Sequence, residues 1–428
     1  MEMRHVWLVV VAGGKGTRLF PISHEGCPKQ FCDLTRSQKF VQATIQRFLA
    51  LGVKPEQVVI ITTTPNQTRL AKEQVRSLGV LSQNIFEESE TWGYPGVMVK
   101  AAQTIYELDR RAIIINTPSD QYVVEDEEFK NAIDSSLEIA GAGDVAVVGI
   151  KITDLVTAKG CGHVVFNPEE NTENGFRKMQ DFVEKPEEQV ADRLMRRASS
   201  AVNTGINVWQ ASTLLNTIDP REIISKRVAS RKEGTKWDLT TDRFLKMFPN
   251  VYVVAGNFEW HDCGTLSAMY DVVKDKTPNH KNANIGGGEI DRTDCLKSLF
   301  YASEGFKLHA TGFYETAVIA NVVEVNGEIH PIVAVVKLSE SQRVKELAED
   351  IKTARQILSV DFQIDARNNC IMRSNVSSDT IYGFVGVENC IVSVHKNADG
   401  TFEVSASQQI SACPQREVAV GLDPELDV

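Results

Sequence analysis

The first 150 residues alternate between short apolar runs and longer segments in which apolar residues return every three or four positions. The apolar runs are predicted strands that are covered on both faces: HVWLVVVA (5–12), QVVIITT (57–63), AIIINTPSD (112–120) and DVAVVGIKI (144–152). The longer segments are predicted helices: KFVQATIQRFLALG (39–52), NQTRLAKEQVRSLG (66–79) and VMVKAAQTIYELDRR (97–111). This alternation predicts an α/β fold with a Rossmann-like, mixed but mostly parallel sheet flanked by helices.

The pattern changes after residue 160. GHVVFNP (162–168) and GFRKMQDFVEKP (175–186) predict antiparallel strands, and AVNTGINVWQASTLLNTI (201–218) predicts a strand followed by a helix. NVYVVAGNFEWHDCG (250–264) predicts one more strand that leads into a polar corner. Proline, asparagine and glycine then gather in DKTPNHKNANIGGG (275–288), as is typical of a linker. We therefore place the first domain at residues 1–280.

The remaining residues, 281–428, predict a smaller β-rich domain. Residues 294–321 and 369–394 echo each other imperfectly, with a cysteine near the start, a glycine step, an acid and a β-rich run. One predicted helix, SESQRVKELAEDIKTARQIL (339–358), separates them. Two such repeats predict a β-helix-like solenoid or a sandwich. Because two units bury little core alone, we expect this domain to pack on the first domain or to build a homodimer.

Charge and cysteine content narrow the classes of protein. The 428 residues carry a formal net charge of −11, which argues against a general nucleic-acid binder. No apolar run reaches the ~18 residues of a membrane span, and the first residues lack the features of a secretion signal, so no membrane partner is expected. The eight cysteines form no CxxC pair, which disfavours a zinc site or a disulfide framework. These features are typical of a cytoplasmic protein.

A glycine-rich turn follows the first predicted strand. Three glycines within four positions remove Cβ atoms where the backbone must bend and approach a ligand, and its amides can form an anion cradle. The turn fits neither a Walker motif nor the GxGxxG fingerprint, and a purely structural turn is the alternative. One arginine in the turn and one lysine shortly after it suit a triphosphate. The candidate nucleotide-binding residues are Gly13, Gly14, Gly16, Thr17, Arg18 and Lys29.

AGGKGTRLFPIS (12–23), followed by PKQF (28–31), resembles the signature of sugar-1-phosphate nucleotidylyltransferases. The Lys-Gln-Phe ending is most similar to the mannose-1-phosphate guanylyltransferases within that family, and further motifs follow in the family's order. The resemblance implies an enzyme that joins a nucleoside triphosphate, with GTP favoured, to a sugar 1-phosphate such as mannose 1-phosphate. An NDP-sugar and pyrophosphate would result. It also implies that Arg18, Lys29 and Lys185 carry catalysis by neutralising phosphate charge.

Two acids lie where predicted strands end. Asp120 follows an apolar strand, and ligands of open α/β sheets bind at the carboxyl ends of strands. Asp262 lies in FEWHDCGT (258–265), after another strand. The resemblance implies that both carboxylates hold Mg²⁺, although Gln121 stands where the family has histidine. The alternative for Asp120 is a turn or helix cap. We interpret His261 as a polar spacer, because Mg²⁺ sites rarely use imidazole.

Three further stretches resemble the sugar side of the family's site: KGCGHVVF (159–166), DFVEKP (181–186) and AVNTGINVW (201–209). The resemblance implies that Glu184 and Asn203 bind sugar hydroxyls and that Lys185 binds the sugar phosphate. Gly162 would offer its amide, and Gly205 would leave room for the ring. A surface ion pair is the alternative for Glu184 and Lys185. Cys161 replaces an aromatic residue of the family, and we interpret it as a packing residue.

One stretch departs from the guanylyltransferase pattern. Where that family usually carries Arg-Asn-Thr-Ala-Pro, this chain has Trp92, Gly93, Tyr94 and Pro95. Three hypotheses therefore stay open: a GDP-sugar pyrophosphorylase, the same reaction with another nucleotide or with a heptose or cyclitol phosphate, and a non-catalytic subunit that senses sugar nucleotides. In the first two, the partners are a nucleoside triphosphate and a sugar 1-phosphate, and the cofactor is Mg²⁺.

Overall fold

The computed structural model describes residues 3–14, 19–35, 38–88, 93–171, 176–219, 221, 225, 240–274, 282–325, 328–339, 370–376, 379–386, 390–397, 399 and 401–408. The chain divides into two units, and among the described residues the first extends to Val273 and the second begins at Lys274. The helix predicted at 339–358 lies outside the described residues, apart from its first position. Among the helices that are described, none has the length and apolarity needed to cross a lipid bilayer.

The first unit contains thirteen described strands and nine described α-helices. The strands are β1 (Val6–Val11), β2 (Asp33–Thr35), β3 (Gln38–Lys39), β4 (Val58–Thr62), β5 (Ile85–Glu87), β6 (Ile113–Pro118), β7 (Tyr122–Val123), β8 (Val145–Ile150), β9 (His163–Asn171), β10 (Arg177–Val183), β11 (Ser200–Gln210), β12 (Val251–Gly256) and β13 (Trp260–His261). The helices are α1 (Phe40–Ala50), α2 (Pro65–Val75), α3 (Gly93–Leu108), α4 (Glu127–Gly141), α5 (Leu155–Gly160), α6 (Glu188–Arg196), α7 (Ala211–Thr217), α8 (Thr241–Leu245) and α9 (Leu266–Val273).

The main sheet of this unit has the order β5-β4-β1-β6-β11-β8-β12-β10-β9. The strands β5, β4, β1 and β6 are parallel to one another, and β12 is parallel to β8. The strand β11 runs antiparallel between β6 and β8, and β10 runs antiparallel to β12 and β9. All strands of the sheet except β10 and β11 therefore run in one direction, as the mixed, mostly parallel prediction requires.

Both faces of the main sheet are buried, which explains why its strands are almost continuously apolar. In β1, Val6, Leu8 and Val10 belong to one hydrophobic cluster, whereas Trp7 and Val9 belong to the cluster on the opposite face. The helices that cover these faces begin at local signals. In α2, the Thr64 side chain accepts a hydrogen bond from the Gln67 amide, and Pro65 occupies the first turn.

The second unit contains two further sheets. Its strands are β14 (Ala283–Ile285), β15 (Glu289–Thr293), β16 (Leu299–Ala302), β17 (Phe306–Thr311), β18 (Thr316–Val325), β19 (Glu328–Lys337), β20 (Cys370–Val376), β21 (Asp379–Gly386), β22 (Cys390–Lys396) and β23 (Phe402–Gln408). One sheet has the order β14-β16-β18-β19-β21-β20, and the other has the order β15-β17-β23-β22. From β14 to β18 the chain alternates between the two sheets and stacks parallel strands, as in a β-helix.

The stacked coils repeat at a spacing of 18 residues. Asp294 and Lys297 have positive φ angles of 52° and 52°, and Gly312 and Glu315, 18 residues later, have φ angles of 78° and 50°. These residues form the corners at which successive coils turn. The two echoing segments found in the sequence fold differently from each other, because β16 pairs parallel with β18 whereas β20 and β21 form an antiparallel pair. The predicted α/β fold class with a β-rich, β-helix-like second part is confirmed.

Candidate active site

The turn after β1 needs glycine at two successive positions. The Ala12 amide continues the strand by donating to the Ile61 carbonyl at 2.8 Å. A Cβ atom on Gly13 would lie 2.8 Å from Thr63 Cγ2, which is closer than van der Waals contact allows. Gly14 has φ +102°, in the region that favours glycine. The predicted residues Gly13 and Gly14 therefore form a tight turn at the carboxyl end of β1, whereas Gly16, Thr17 and Arg18 lie outside the described residues.

Two glutamine side chains hold the carbonyls of this turn. The Gln30 amide donates to the Gly13 carbonyl, and Gln67 Nε2 donates to the Gly14 carbonyl at 3.0 Å. Gln67 Oε1 accepts from the amide and the hydroxyl of Thr63, each at 2.9 Å. Because both carbonyls accept hydrogen bonds from glutamine side chains, the backbone of the turn is held in place before a ligand binds. The sequence-based prediction had not assigned a role to either glutamine.

Lys29 begins a turn of 3₁₀ helix, Lys29–Phe31, and its side chain is almost completely buried. Its Nζ donates to the backbone carbonyl of Asp262 at 2.6 Å and lies 3.3 Å from Asp120 Oδ2. The ammonium also lies 5.4 Å from the centre of the Phe40 ring. Burial by itself lowers the pKa of Lys29, but the carboxylates of Asp120 and Asp262 outweigh it and raise that pKa above its ordinary value. Lys29 therefore carries its charge and joins the two segments that bear the predicted metal ligands.

A small two-stranded sheet brings those two segments together. The strands β7 and β13 are antiparallel, with Val123 opposite Trp260 and Tyr122 opposite His261. Asp120 lies just before β7, and Asp262 lies just after β13. Asp120 is also close to the glycine turn, because β1 and β6 are parallel with Val11 opposite Pro118. Strand pairing therefore brings the Asp120 segment next to the glycine turn and the Asp262 segment next to the Asp120 segment.

Gln121 stands at the position where the resembled family has histidine. It stabilises this arrangement through two buried hydrogen bonds. Its Nε2 donates to the Thr204 carbonyl at 2.7 Å, and its Oε1 accepts from Trp260 Nε1 at 3.0 Å. The residue is buried. Gln121 thus ties the Asp120 segment to β11 on one side and to β13 on the other.

The predicted sugar-side residues form a second group around β11. The Asn203 amide donates to the Gly162 carbonyl at 2.8 Å, and Asn203 Oδ1 accepts from the Gly205 amide at 2.9 Å. Gly205 has φ +80°, and a Cβ atom there would lie 2.6 Å from Pro118 Cγ. Because Pro118 precedes Asp120 by two residues, this close contact connects the sugar side with the acid side.

Glu184 reaches the same group from the end of β10. A Cβ atom on Gly162 would lie 3.1 Å from Glu184 Oε2, so the carboxylate packs directly over this glycine. Lys185 has φ +40°, which is unusual for a residue with a side chain. Its Nζ lies 3.7 Å from Glu184 Oε1 in a largely exposed position. Cys161 packs, partly buried, against the main core cluster, which agrees with its interpretation as a packing residue.

Comparison with known proteins identifies the family to which the chain belongs. The profile of the nucleotidyl transferase family matches residues 8–279, which is more than half of the chain. The chain belongs to this family. The matched residues include every described member of both groups, and the resemblance found in the sequence motifs is confirmed.

Three proteins that are similar to this nucleotidyl transferase share 23% to 27% identical residues with it. A mannose-1-phosphate guanylyltransferase from Sinorhizobium fredii is 27% identical over 371 residues, covering 81% of this chain and 68% of that protein. A mannose-1-phosphate guanylyltransferase from Salmonella montevideo is 25% identical over 365 residues, covering 80% and 73%. A crystal structure described as mannose-1-phosphate geranyltransferase from Thermus thermophilus has a TM-score of 0.65 at 23% identity and covers 81% of this chain and 99% of that one. This last likeness concerns the fold.

The carboxylates of the nucleotidyl transferase fit the chemistry of Mg²⁺. Asp120 and Asp262 are hard oxygen donors on one edge of the sheet, and the Asp120 side chain is 30% exposed, which leaves it accessible. Within the described residues, no cluster of three or more His, Cys, Asp or Glu side chains is arranged to enclose a metal. Two carboxylates suit an ion that keeps several waters and takes its other ligands from phosphates. That these two acids hold Mg²⁺ stays a prediction.

Proposed function

We propose that this nucleotidyl transferase joins GTP to mannose 1-phosphate and forms GDP-mannose and pyrophosphate. A phosphate oxygen of the sugar phosphate attacks the α-phosphorus of GTP, the new P–O bond forms, and the bond from the α-phosphorus to the bridging oxygen breaks. The observation that carries the proposal is the contact of the buried Lys29 ammonium with Asp120 and the Asp262 carbonyl, next to the glycine turn. The names of the relatives favour guanosine and mannose.

The residues of the chain mainly position anions and neutralise charge, which is what phosphoryl-transfer chemistry requires. Lys29 would contact the triphosphate at the glycine turn, whose backbone Gln30 and Gln67 fix in advance. The Glu184 carboxylate would accept hydrogen bonds from sugar hydroxyls, and the Asn203 side chain would also hydrogen-bond to them. Lys185 would contact the sugar phosphate. No covalent enzyme intermediate is needed, because the sugar phosphate itself is the nucleophile.

The proposal includes a Mg²⁺ ion held by Asp120 and Asp262. When bound there, it would supply positive charge between the two phosphate groups, whose mutual repulsion is large in a cleft of low dielectric constant. Lys29 supplies part of the same charge from within the protein.

A second candidate keeps the reaction and changes a substrate. Gly93 is the first residue of α3, and Pro95 and Gly96 lie in the first turn of that helix. The segment that replaces the guanylyltransferase stretch thus runs into a helix. This difference raises a second candidate: the enzyme would use a nucleotide with a different base, or an acceptor such as a heptose or cyclitol 1-phosphate. A non-catalytic sensor is disfavoured by the Lys29, Asp120 and Asp262 constellation.

Pyrophosphate release from a matrix of nucleoside triphosphates and sugar 1-phosphates tests the proposal. We expect the highest kcat/KM with GTP and mannose 1-phosphate, and a maximum with another pair would favour the second candidate. Replacing both acids, Asp120→Asn with Asp262→Asn, should lower kcat by at least about 10²–10³-fold. The matched control is Asp134→Asn, an exposed acid on α4 that pairs with Lys130. Turnover that survives in the double variant contradicts the role of the acids. If the unchanged protein binds a sugar nucleotide but releases no pyrophosphate in the presence of Mg²⁺, the sensor is supported.

A further inference from the structure

Two cysteines flank the segment that carries Lys29. Cys27 Sγ and Cys32 Sγ lie 3.6 Å apart, and the residues between them are Pro28, Lys29, Gln30 and Phe31. Cys27 is partly exposed, whereas Cys32 is buried at 2% exposure. Solvent can therefore reach one thiol of the pair, and the other is buried. Lys29, a residue of the candidate active site, lies between the two cysteines in the chain.

The two thiols also differ in acidity. The hydrogen bond with Cys32 is the main reason that the pKa of the Cys27 thiol lies below its ordinary value, and the ammonium of Lys39 adds to this against the opposing effect of burial. Burial raises the pKa of Cys32 well above its ordinary value. A thiolate attacks disulfides and a thiol does not, so Cys27 is the attacking residue and Cys32 is the one that closes the bond.

We propose that Cys27 and Cys32 are a thiol-disulfide modification site that reacts with low-molecular-weight disulfides and switches off the active site by displacing Lys29. The Cys27 thiolate attacks one sulfur of the small disulfide, forming a mixed disulfide and releasing one small thiolate. Cys32 then loses its proton to solvent, its thiolate attacks Cys27 Sγ, and the second small thiolate leaves. The protein loses two electrons and two protons, and one small disulfide becomes two small thiols.

The geometry connects this bond to Lys29. A disulfide requires the sulfurs to approach to about 2.05 Å, so the 3.6 Å separation must shrink within a six-residue segment. That segment is already bonded internally, since the Phe31 amide donates to the Pro28 carbonyl at 2.8 Å and the Cys32 amide donates to the Lys29 carbonyl at 3.0 Å. The movement therefore passes to the Lys29 backbone, whose side chain is held at its far end by the Asp262 carbonyl.

A misplacement of about 1 Å in a positioned group can lower the rate by about 10²-fold. The loss of activity rests on the proposed function, whereas formation of the disulfide does not. Cys263 provides a contrast in the same region. It is fully buried, so a small disulfide in solution does not reach its sulfur.

The test incubates the reduced full chain with oxidised glutathione and then maps its peptides by mass spectrometry without reduction. We expect a Cys27–Cys32 cross-linked peptide, a fall in kcat of about 10–100-fold, and recovery of both with dithiothreitol. Cys27 carrying glutathione without a cross-link, or a cross-link that leaves kcat unchanged, overturns the proposal. If the reduced protein releases no pyrophosphate with any substrate pair, the proposed function fails while the cross-link is still scored by mass.

Variants separate this pair from the other thiols. Cys27→Ser and Cys32→Ala should keep the basal activity and lose both the cross-link and the inhibition, and Cys295→Ser in the second unit should behave like the unchanged protein. Inhibition that persists in Cys27→Ser overturns the proposal. Timed alkylation of the unchanged protein with iodoacetamide tests the proposal without any substitution. Cys27 should react well before Cys263, and the reverse order contradicts the assignment of Cys27 as the attacking residue.

Discussion

Lys29 and Lys185 are both predicted to neutralise phosphate charge, but the fold holds them in opposite ways. The Lys29 side chain is 5% exposed and has two polar partners, the Asp120 carboxylate and the Asp262 carbonyl. The Lys185 side chain is 66% exposed, and its ion pair with Glu184 is 3.7 Å long. What is fixed at Lys185 is the backbone, with φ +40° at the end of β10.

This difference indicates two ways to prepare a cation for a phosphate. At the glycine turn the charge is in place before any ligand binds, and its position depends on strand pairing between β7 and β13. At the sugar side the strained backbone aims a largely exposed side chain, which a phosphate can order on binding. Preorganised charge should affect kcat, whereas charge ordered by the substrate should affect KM more strongly.

The largest expected effect comes from Lys29→Met. It removes the ammonium and leaves the Asp120 carboxylate and the Asp262 carbonyl without their buried partner. We expect kcat to fall by about 10²–10³-fold and the free energy of unfolding to fall by about 1–3 kcal/mol. Steady-state kinetics and urea unfolding measure the two. Lys39→Met is the matched control, because Lys39 also forms an ion pair, with Asp33 at 2.6 Å, but lies outside the site. Similar losses of activity in both variants would contradict the special role of Lys29.

A smaller and different effect is expected from Lys185→Met. The kcat/KM for the sugar phosphate should fall by roughly 10–100-fold, through KM for the sugar phosphate and not for the nucleotide. Because the side chain is exposed, the free energy of unfolding should change by less than about 0.5 kcal/mol. Kinetics with each substrate varied in turn make the measurement.

Lys185→Gly refines the same test. Glycine adopts positive φ without strain, so this variant should be more stable than Lys185→Met by up to about 1 kcal/mol while losing the same ammonium. If the two variants are equally stable, the backbone at Lys185 is not strained. A change confined to the KM of the nucleotide would remove the distinction between the two lysines.

The sequence alone allowed part of the fold and of the candidate site to be predicted. Local patterns predicted all strands of the main sheet except β5, and the helices α1, α2, α3 and α7, because continuous apolar runs and helical spacing follow directly from burial on one or both faces. The helices α4, α5, α6, α8 and α9 were not predicted. Local patterns also placed Gly13, Gly14, Asp120 and Asp262 at strand ends, where the parallel pairing of β1 with β6 and the antiparallel pairing of β7 with β13 bring them together.

Contacts between distant residues could not be predicted in this way. The Thr64-x-x-Gln67 pattern indicates a helix start, yet nothing in it shows that the Gln67 amide turns to the Gly14 carbonyl, 53 residues away. The substitution of the family's histidine by Gln121 was visible, but its bond to Trp260, 139 residues away, depends on tertiary pairing. The echo in the second unit was noticed at the level of composition, whereas the stacked coils follow an 18-residue spacing of corner residues.

The last expected effect concerns stability alone, at acid pH, in the segment before Lys29. His24 exchanges two backbone hydrogen bonds with Cys27, each 3.0 Å long, just before the Lys29 turn. Burial lowers the pKa of His24 from 6.5 to about 4. The folded state therefore keeps His24 neutral where the unfolded chain already binds a proton, so its contribution to stability decreases as the pH falls from about 6.5 towards 4. At pH 5 this amounts to no more than about 2 kcal/mol.

Urea unfolding at pH 7 and pH 5 checks this expectation. His24→Gln should reduce the loss of stability between the two pH values, because glutamine does not titrate there. His163→Gln is the matched variant on the sugar side. Burial lowers the pKa of His163 as well, but its bond with the Ala158 carbonyl at 2.8 Å opposes the shift, so that variant should change the pH dependence less. Hydrogen exchange should then show residues 19–35 opening before residues 177–185 at pH 5. An equal response of the two segments would mean that acid does not distinguish the preorganised lysine from the exposed one.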